Sequence, residues 1–155
     1  MTVRTILLVG VALGALACTY VQAAEVSDIL QHERKLLSGQ CTQIEFYPGF
    51  IEMMDLNGDG REDALIDYQY LQCDGSSDAF CGSGGCTMRM YSGERRGLFA
   101  EAGEFLSYGI KIQGRGRKMR IAISVHGTEC GGSGASPCTI VGRLSQGKFI
   151  VERKR

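Results

Sequence analysis

Seven cysteines in 155 residues, six of them beyond residue 40, restrict this chain to folds that bring distant segments within bonding reach. The exception, Cys18, falls in an N-terminal stretch where Arg4 precedes the apolar run Thr5 to Ala17 and the small-residue sequence Val21-Gln-Ala23. That is the pattern of a secretory signal, so residues 1–23 read as a signal peptide and the mature chain starts near Ala24. The run is shorter than the roughly 20 apolar residues a transmembrane helix needs, and no later segment is apolar enough to span a bilayer. Export to the periplasm or the extracellular space puts the remaining six cysteines in an oxidising setting, where an even number pairs. Three disulfides follow. Cys81-Gly-Ser-Gly-Gly-Cys86 and Cys130 to Cys138 are glycine-rich stretches whose ends can meet, which leaves Cys41 with Cys73, one of several connectivities six cysteines allow. Zinc is the rival use of thiols, but there is no C-x-x-C pair and His32 and His126 sit in unrelated contexts.

The mature part, residues 24–155, suits a single domain with a modest core that disulfides would supplement. Losing Arg4 leaves 16 basic against 17 acidic side chains, so the chain as a whole has no net field to draw DNA or an anionic membrane. Basic residues concentrate only from Lys111 to Arg120 and in the tail Arg153-Lys-Arg155. Without neighbouring aromatic residues these read as a solvated hairpin tip and a frayed terminus, not as a nucleic-acid site. Contact with an anionic cell-envelope polymer is the functional alternative.

The 22 glycines and two prolines imply many turns and short strands, and no internal repeat is visible. Ser27 and Asp28 suit a helix start, Ile29, Leu30, Leu36 and Leu37 recur at helical spacing, and Gly39 suits the stop. Period-two or continuous apolar runs then predict strands over Phe50–Met54, Ala64–Leu71, Thr87–Tyr91, Tyr108–Gln113, Met119–Val125, Thr139–Leu144 and Lys148–Glu152. The fold class expected is α+β. An N-terminal helix covers a mostly antiparallel sheet, stapled by disulfides and carrying a hairpin closed by a metal loop.

That loop is Asp55-Leu-Asn57-Gly-Asp59-Gly60-Arg61-Glu-Asp63. Calcium takes about 6–8 oxygen ligands, and alternate residues of a tight turning loop can all point inward. Asp55, Asn57 and Asp59 supply side-chain oxygens, Arg61 its carbonyl and Asp63 one or two more, with Gly60 permitting positive φ. The metal expected is therefore Ca²⁺. An EF-hand fits less well, since Ile66 stands where the bidentate Glu belongs and Glu62 where an apolar residue is usual. Turn chemistry alone, Asn57-Gly and Asp59-Gly, leaves Asp55 and Asp63 unexplained. The segment Asp55 to Ile66 resembles the D-x-[DN]-x-D-G-x-x-D loop of FG-GAP and VCBS repeat proteins, in which the chain enters a strand directly after the loop. The tandem copies of that family are missing here. The rest of the chain is similar to small exported bacterial proteins with one such loop and Cys-Gly-rich segments.

Catalytic constellations are weak. Gly131-Gly-Ser133-Gly-Ala135 lacks the spacing and the strand-to-helix context of a nucleophile elbow, although Ser133, His126 and Asp67 can be arranged on paper as a triad. Glu101 and Glu104 have no sugar-stacking Trp beside them. The functional expectation is a calcium-binding, disulfide-stabilised module with a binding or structural role toward a cell-envelope or secreted partner. A small secreted hydrolase using Ser133 and His126 is the alternative.

Overall fold

The computed structural model describes residues 13–134 and 136–155, with side chains described from Glu25 onward apart from Arg96. Most of the apolar run of the expected signal lies outside the described residues. Helix α1 spans Leu13–Leu37, so it begins well upstream of the Ser27-Asp28 start and passes through the expected cleavage point. Alanines at 15, 17, 23 and 24 have strong helix propensity and continue the helix where a capping signal alone would have stopped it. Its inward stripe is Ile29, Glu33 and Leu37, four residues apart, whereas Leu36 is exposed. The expected apolar face thus has a carboxylate at its centre.

The strands follow in order as β1 (Ile44–Phe46), β2 (Ile51–Met54), β3 (Asp63–Asp67), β4 (Leu71–Cys73), β5 (Cys81–Gly82), β6 (Gly85–Gly93), β7 (Phe99–Ser107), β8 (Gly109–Gln113), β9 (Arg120–Val125), β10 (Cys138–Ser145) and β11 (Lys148–Lys154). One sheet was expected, and three are found among the described residues. The first runs β2-β3-β6-β5 with β7 added on the free side of β6, the second runs β11-β10-β9-β8, and β1 pairs with β4 alone. All pairings are antiparallel.

Period-two alternation in β3 builds the layers. Ala64 and Ile66 point to one side, where they join Ile29 and Leu37 of α1 with Phe50, Tyr68, Leu71 and Tyr91. Leu65 points to the other and meets Met90, Ile121, Ile123, Val125, Ile140 and Leu144. The first sheet is therefore sandwiched between the helix and the second sheet, which is why β3 is buried on both faces.

The expected strand Ala64–Leu71 is broken. Asp67 accepts a hydrogen bond from the Gln69 amide and opens a 3₁₀ turn over Tyr68–Tyr70, after which the chain resumes as β4 against β1. A residue that bonds its own backbone two positions on offers the chain a turn in place of a ladder. Strand β7 carries little sequence signal, since Phe99-Ala-Glu-Ala-Gly-Glu-Phe-Leu-Ser107 alternates poorly, and its pairing with β6 shifts register at Met90/Tyr91. The C-terminal tail is not frayed, since Thr139 and Arg155 exchange both backbone hydrogen bonds beyond the end of β11.

The three disulfides are Cys41–Cys73, Cys81–Cys86 and Cys130–Cys138, the pairing expected from spacing. They suit an oxidising compartment outside the cytoplasm. Among the described residues no helix is long and apolar enough to cross a membrane.

Candidate functional site

Strands β2 and β3 pair as a hairpin, with Met54 opposite Asp63, so residues 55–62 form the connecting loop. Asp55 organises it. One carboxylate oxygen accepts from the Gly58 amide at 2.6 Å and, at longer range, from Asn57 and Asp59; the other accepts from Gly60 at 2.9 Å. The Asn57 side chain accepts from the Asp59 amide at 2.8 Å, and Asp59 Oδ1 from the Arg61 amide at 2.9 Å. Loop positions one, three and five therefore all aim side-chain oxygens at the loop's own backbone. Gly58 and Gly60 take φ values of +77° and +83°, as the tight winding requires.

Asp63 closes the base of this loop. It is completely buried, with Oδ2 accepting from the Leu56 amide at 2.8 Å and Oδ1 from the Gly93 amide at the end of β6 at 2.9 Å. Leu56 is itself buried in the core between the sheets, which anchors the loop to the fold. Burial pushes the Asp63 carboxyl above its ordinary range against these two amides, and the charges of Asp59 and Asp55 push the same way. Burial works in that direction on Asp55 too, but amides from Gly60, Gly58, Asn57 and Asp59 outweigh it and hold Asp55 below the usual range.

The donor types are those a hard cation takes. Each carboxylate oxygen has two lone pairs, so an oxygen that accepts one amide can still face a metal ion. Asp55, Asn57, Asp59 and Asp63 together with the Arg61 carbonyl would supply the all-oxygen shell that Ca²⁺ selects. The Arg61 side chain competes for part of it. Its guanidinium is ion-paired with Asp59 and its Nε donates to the Gly93 carbonyl at 3.0 Å, so a cation would displace it from Asp59. Among the described residues no group of three or more His, Cys, Asp or Glu side chains is placed to hold a metal ion.

One positioning contact leaves no trace in local sequence. A Cβ on Gly58 would lie 2.3 Å from the carbonyl carbon of Gly116, so the tip between β8 and β9 presses directly on the loop backbone. Gly60 has open space around it. Gly60→Ala should therefore cost about 1 kcal/mol for the left-handed conformation alone, and Gly58→Ala about 3 kcal/mol once backbone overlap is added. Equal losses in urea unfolding would show that the tip does not bear on the loop.

The other predicted residues are placed differently. His126 Nδ1 lies 2.8 Å from the Thr128 hydroxyl, and its ring lies against Gly134, where a Cβ would come within 2.2 Å of it. Asp67 caps the 3₁₀ turn after β3. No hydrogen bond joins Ser133, His126 and Asp67 among the described residues, so the triad arranged on paper is not brought together. A cleft of about 420 Å³ does bring the two small disulfide loops near each other, with Ser83 and Gly84 on one wall, His126, Thr128 and Glu129 on another, and Phe105 and Leu106 between. No protein-family model, curated protein or solved structure matches the chain.

Proposed function

We propose that this protein is an exported, calcium-stabilised binding module that acts through its surface and not by catalysis. The observation that carries the proposal is the Asp55–Asp63 loop, in which Asp55, Asn57 and Asp59 turn side-chain oxygens onto the loop's own amides and the fully buried Asp63 carboxylate sits at the base with two other acids near it. A divalent cation there would relieve the repulsion among Asp55, Asp59 and Asp63 and tie the β2–β3 hairpin to the end of β6. The role of the metal is structural, because Asp63 ties the base of the loop to the Leu56 amide and to the Gly93 amide at the end of β6. Partner binding falls to the cleft between the disulfide loops, whose stapled backbone lowers the ordering cost of association.

Thermal unfolding with millimolar Ca²⁺ and with EDTA tests the metal. Calcium at a hundred times its Kd should add about 2.7 kcal/mol, about 10 °C for a domain of this size. Asp59→Ala should abolish most of the difference. An unchanged wild-type midpoint, or an equal shift in the variant, would remove calcium from the account. For the non-catalytic half, a serine-reactive fluorophosphonate should leave Ser133 unlabelled; specific labelling there would favour the hydrolase.

A further inference from the structure

We infer that the outer face of the β8–β11 sheet, with the tip between β8 and β9, docks on an anionic lipid bilayer surface. The near-zero net charge conceals a segregation. Residues 24–108 carry six basic and fifteen acidic side chains, whereas residues 109–155 carry ten basic and two acidic. That second segment is the whole of the second sheet and its connections.

Register decides which side the cations occupy. Ile121, Ile123, Val125, Ile140 and Leu144 point inward to the core, so residues at the alternate positions point out. One row on the side away from that core runs Lys111–Ala122–Val141–Arg153 across the four strands, exposed at Lys111 and Arg153 and buried at Ala122 and Val141 between them. Beside it Arg120 and Arg143 share Glu152, which neutralises one of those two charges. Lys111, Arg115, Arg117, Lys118 and Arg153 are exposed, and none is in an ion pair among the described residues. The two stretches that look unrelated in sequence, 111–120 and 153–155, are thereby joined on one surface.

The form of this surface selects its occupant. The exposed cations stand on the two edge strands of this sheet and on its tip, spread in two dimensions and not along a groove that would track a polymer backbone. None of the outward positions in that row is aromatic, so the base stacking that single-stranded nucleic acid exploits has no platform. A bilayer with anionic headgroups is the planar counterpart. Each Lys or Arg within about a Debye length of it contributes about fivefold in binding. The acidic loop Asp55–Asp63 abuts the tip, whereas the acidic residues outside that loop are repelled by the same surface, which biases the orientation at the lipid.

Vesicles of phosphatidylglycerol and phosphatidylcholine, against phosphatidylcholine alone, test this with the full chain in co-sedimentation. The difference between the two lipid mixtures is the readout, because the apolar run near the N-terminus meets both alike. Binding to anionic vesicles should exceed binding to neutral ones by at least a hundredfold at low salt and collapse by 0.5 M NaCl. The triple variant Lys111→Gln, Arg117→Gln, Arg153→Gln should reduce that difference about a hundredfold with an unchanged circular dichroism spectrum, whereas Arg34→Gln with Lys35→Gln on α1 should not. Equal binding to both lipid mixtures, insensitivity to the triple variant, preference for duplex DNA over the vesicles, or a salt-sensitive dimer in place of lipid binding would each overturn the inference.

Discussion

Glu33→Ala is expected to lower the unfolding free energy by about 3–5 kcal/mol, the range for breaking a buried hydrogen-bonded ionisable group. Glu33 is completely buried between α1 and the first sheet. Both of its carboxylate oxygens are used, one by the Tyr68 hydroxyl and one by the Tyr91 hydroxyl. Those tyrosines are 2 % and 3 % exposed, so truncation strands two hydroxyls away from water, at about 1–3 kcal/mol each. Arg89 completes the cluster, stacked over the Tyr68 ring at 5.7 Å and ion-paired with Glu104, with a buried Nε that has no hydrogen-bond partner. Glu33→Gln keeps the length and one acceptor and should cost less than half as much. Guanidinium unfolding of the two variants decides it. If Ala and Gln lose the same amount, or Ala loses under 1 kcal/mol, α1 is held by Ile29 and Leu37 alone.

The same cluster sets an alkaline limit. Burial, then the hydrogen bond from each hydroxyl to Glu33, raises Tyr68 and Tyr91 far above the ordinary value of 10.0. A raised folded pKa means the native state keeps protons that the unfolded chain releases. The contribution is therefore complete below pH 10 and is lost progressively as pH climbs from there toward the folded values. Stability should fall steeply above pH 10 in wild type. Absorbance of tyrosinate should show two of the six tyrosines titrating only as the protein unfolds. Simple ionisation of all six before the loss of helical signal would contradict the burial of this pair.

Why this cluster escaped sequence reading is a matter of range. The loop Asp55–Asp63 and the two small disulfide loops are written within a few residues, where spacing alone fixes which groups can meet. The strand pattern from Gly109 to Leu144 is equally local, since its large apolar residues recur at every second position. Glu33 instead sits in His-Glu-Arg-Lys, which looks like a solvated face, and its partners lie 35 and 58 residues downstream. Nothing short-range announces that a carboxylate will be satisfied by two tyrosines, one from the 3₁₀ turn after β3 and one from β6. Gly58 is a similar case, since a glycine in a turn already has a local explanation and its contact with Gly116 adds a distant one. The long apolar run from Ala64 misled for the opposite reason. Strand propensity is continuous through Tyr70, but Asp67 supplies a competing side-chain hydrogen bond that propensity does not count.

Removing the Cys41–Cys73 bridge with paired serines should cost about 4 kcal/mol, roughly twice the loss from removing Cys81–Cys86. The difference follows from the chain each bridge closes in the unfolded state, 32 residues in one case and five in the other. Position adds to it. Cys41 follows directly on the end of α1, its amide bonding the Leu37 carbonyl, while Cys73 ends β4 in the β1–β4 pair, the smallest of the sheets. A two-stranded ribbon is marginal by itself. It is held by this disulfide and by Asp74, which accepts from the Thr42 and Gln43 amides. Without the bridge, local opening of residues 38–47 and 71–76 should precede global unfolding, visible as fast amide exchange confined to those segments. The double variant of Cys81 and Cys86 should show no such sub-global opening, because that pair closes a hairpin already fixed by β6 on the adjacent strand. Equal stability losses for the two variants, or exchange that stays cooperative across the whole chain, would mean that the helix end and the small ribbon are secured by packing around Phe46, Phe50 and Leu71 without need of the covalent link.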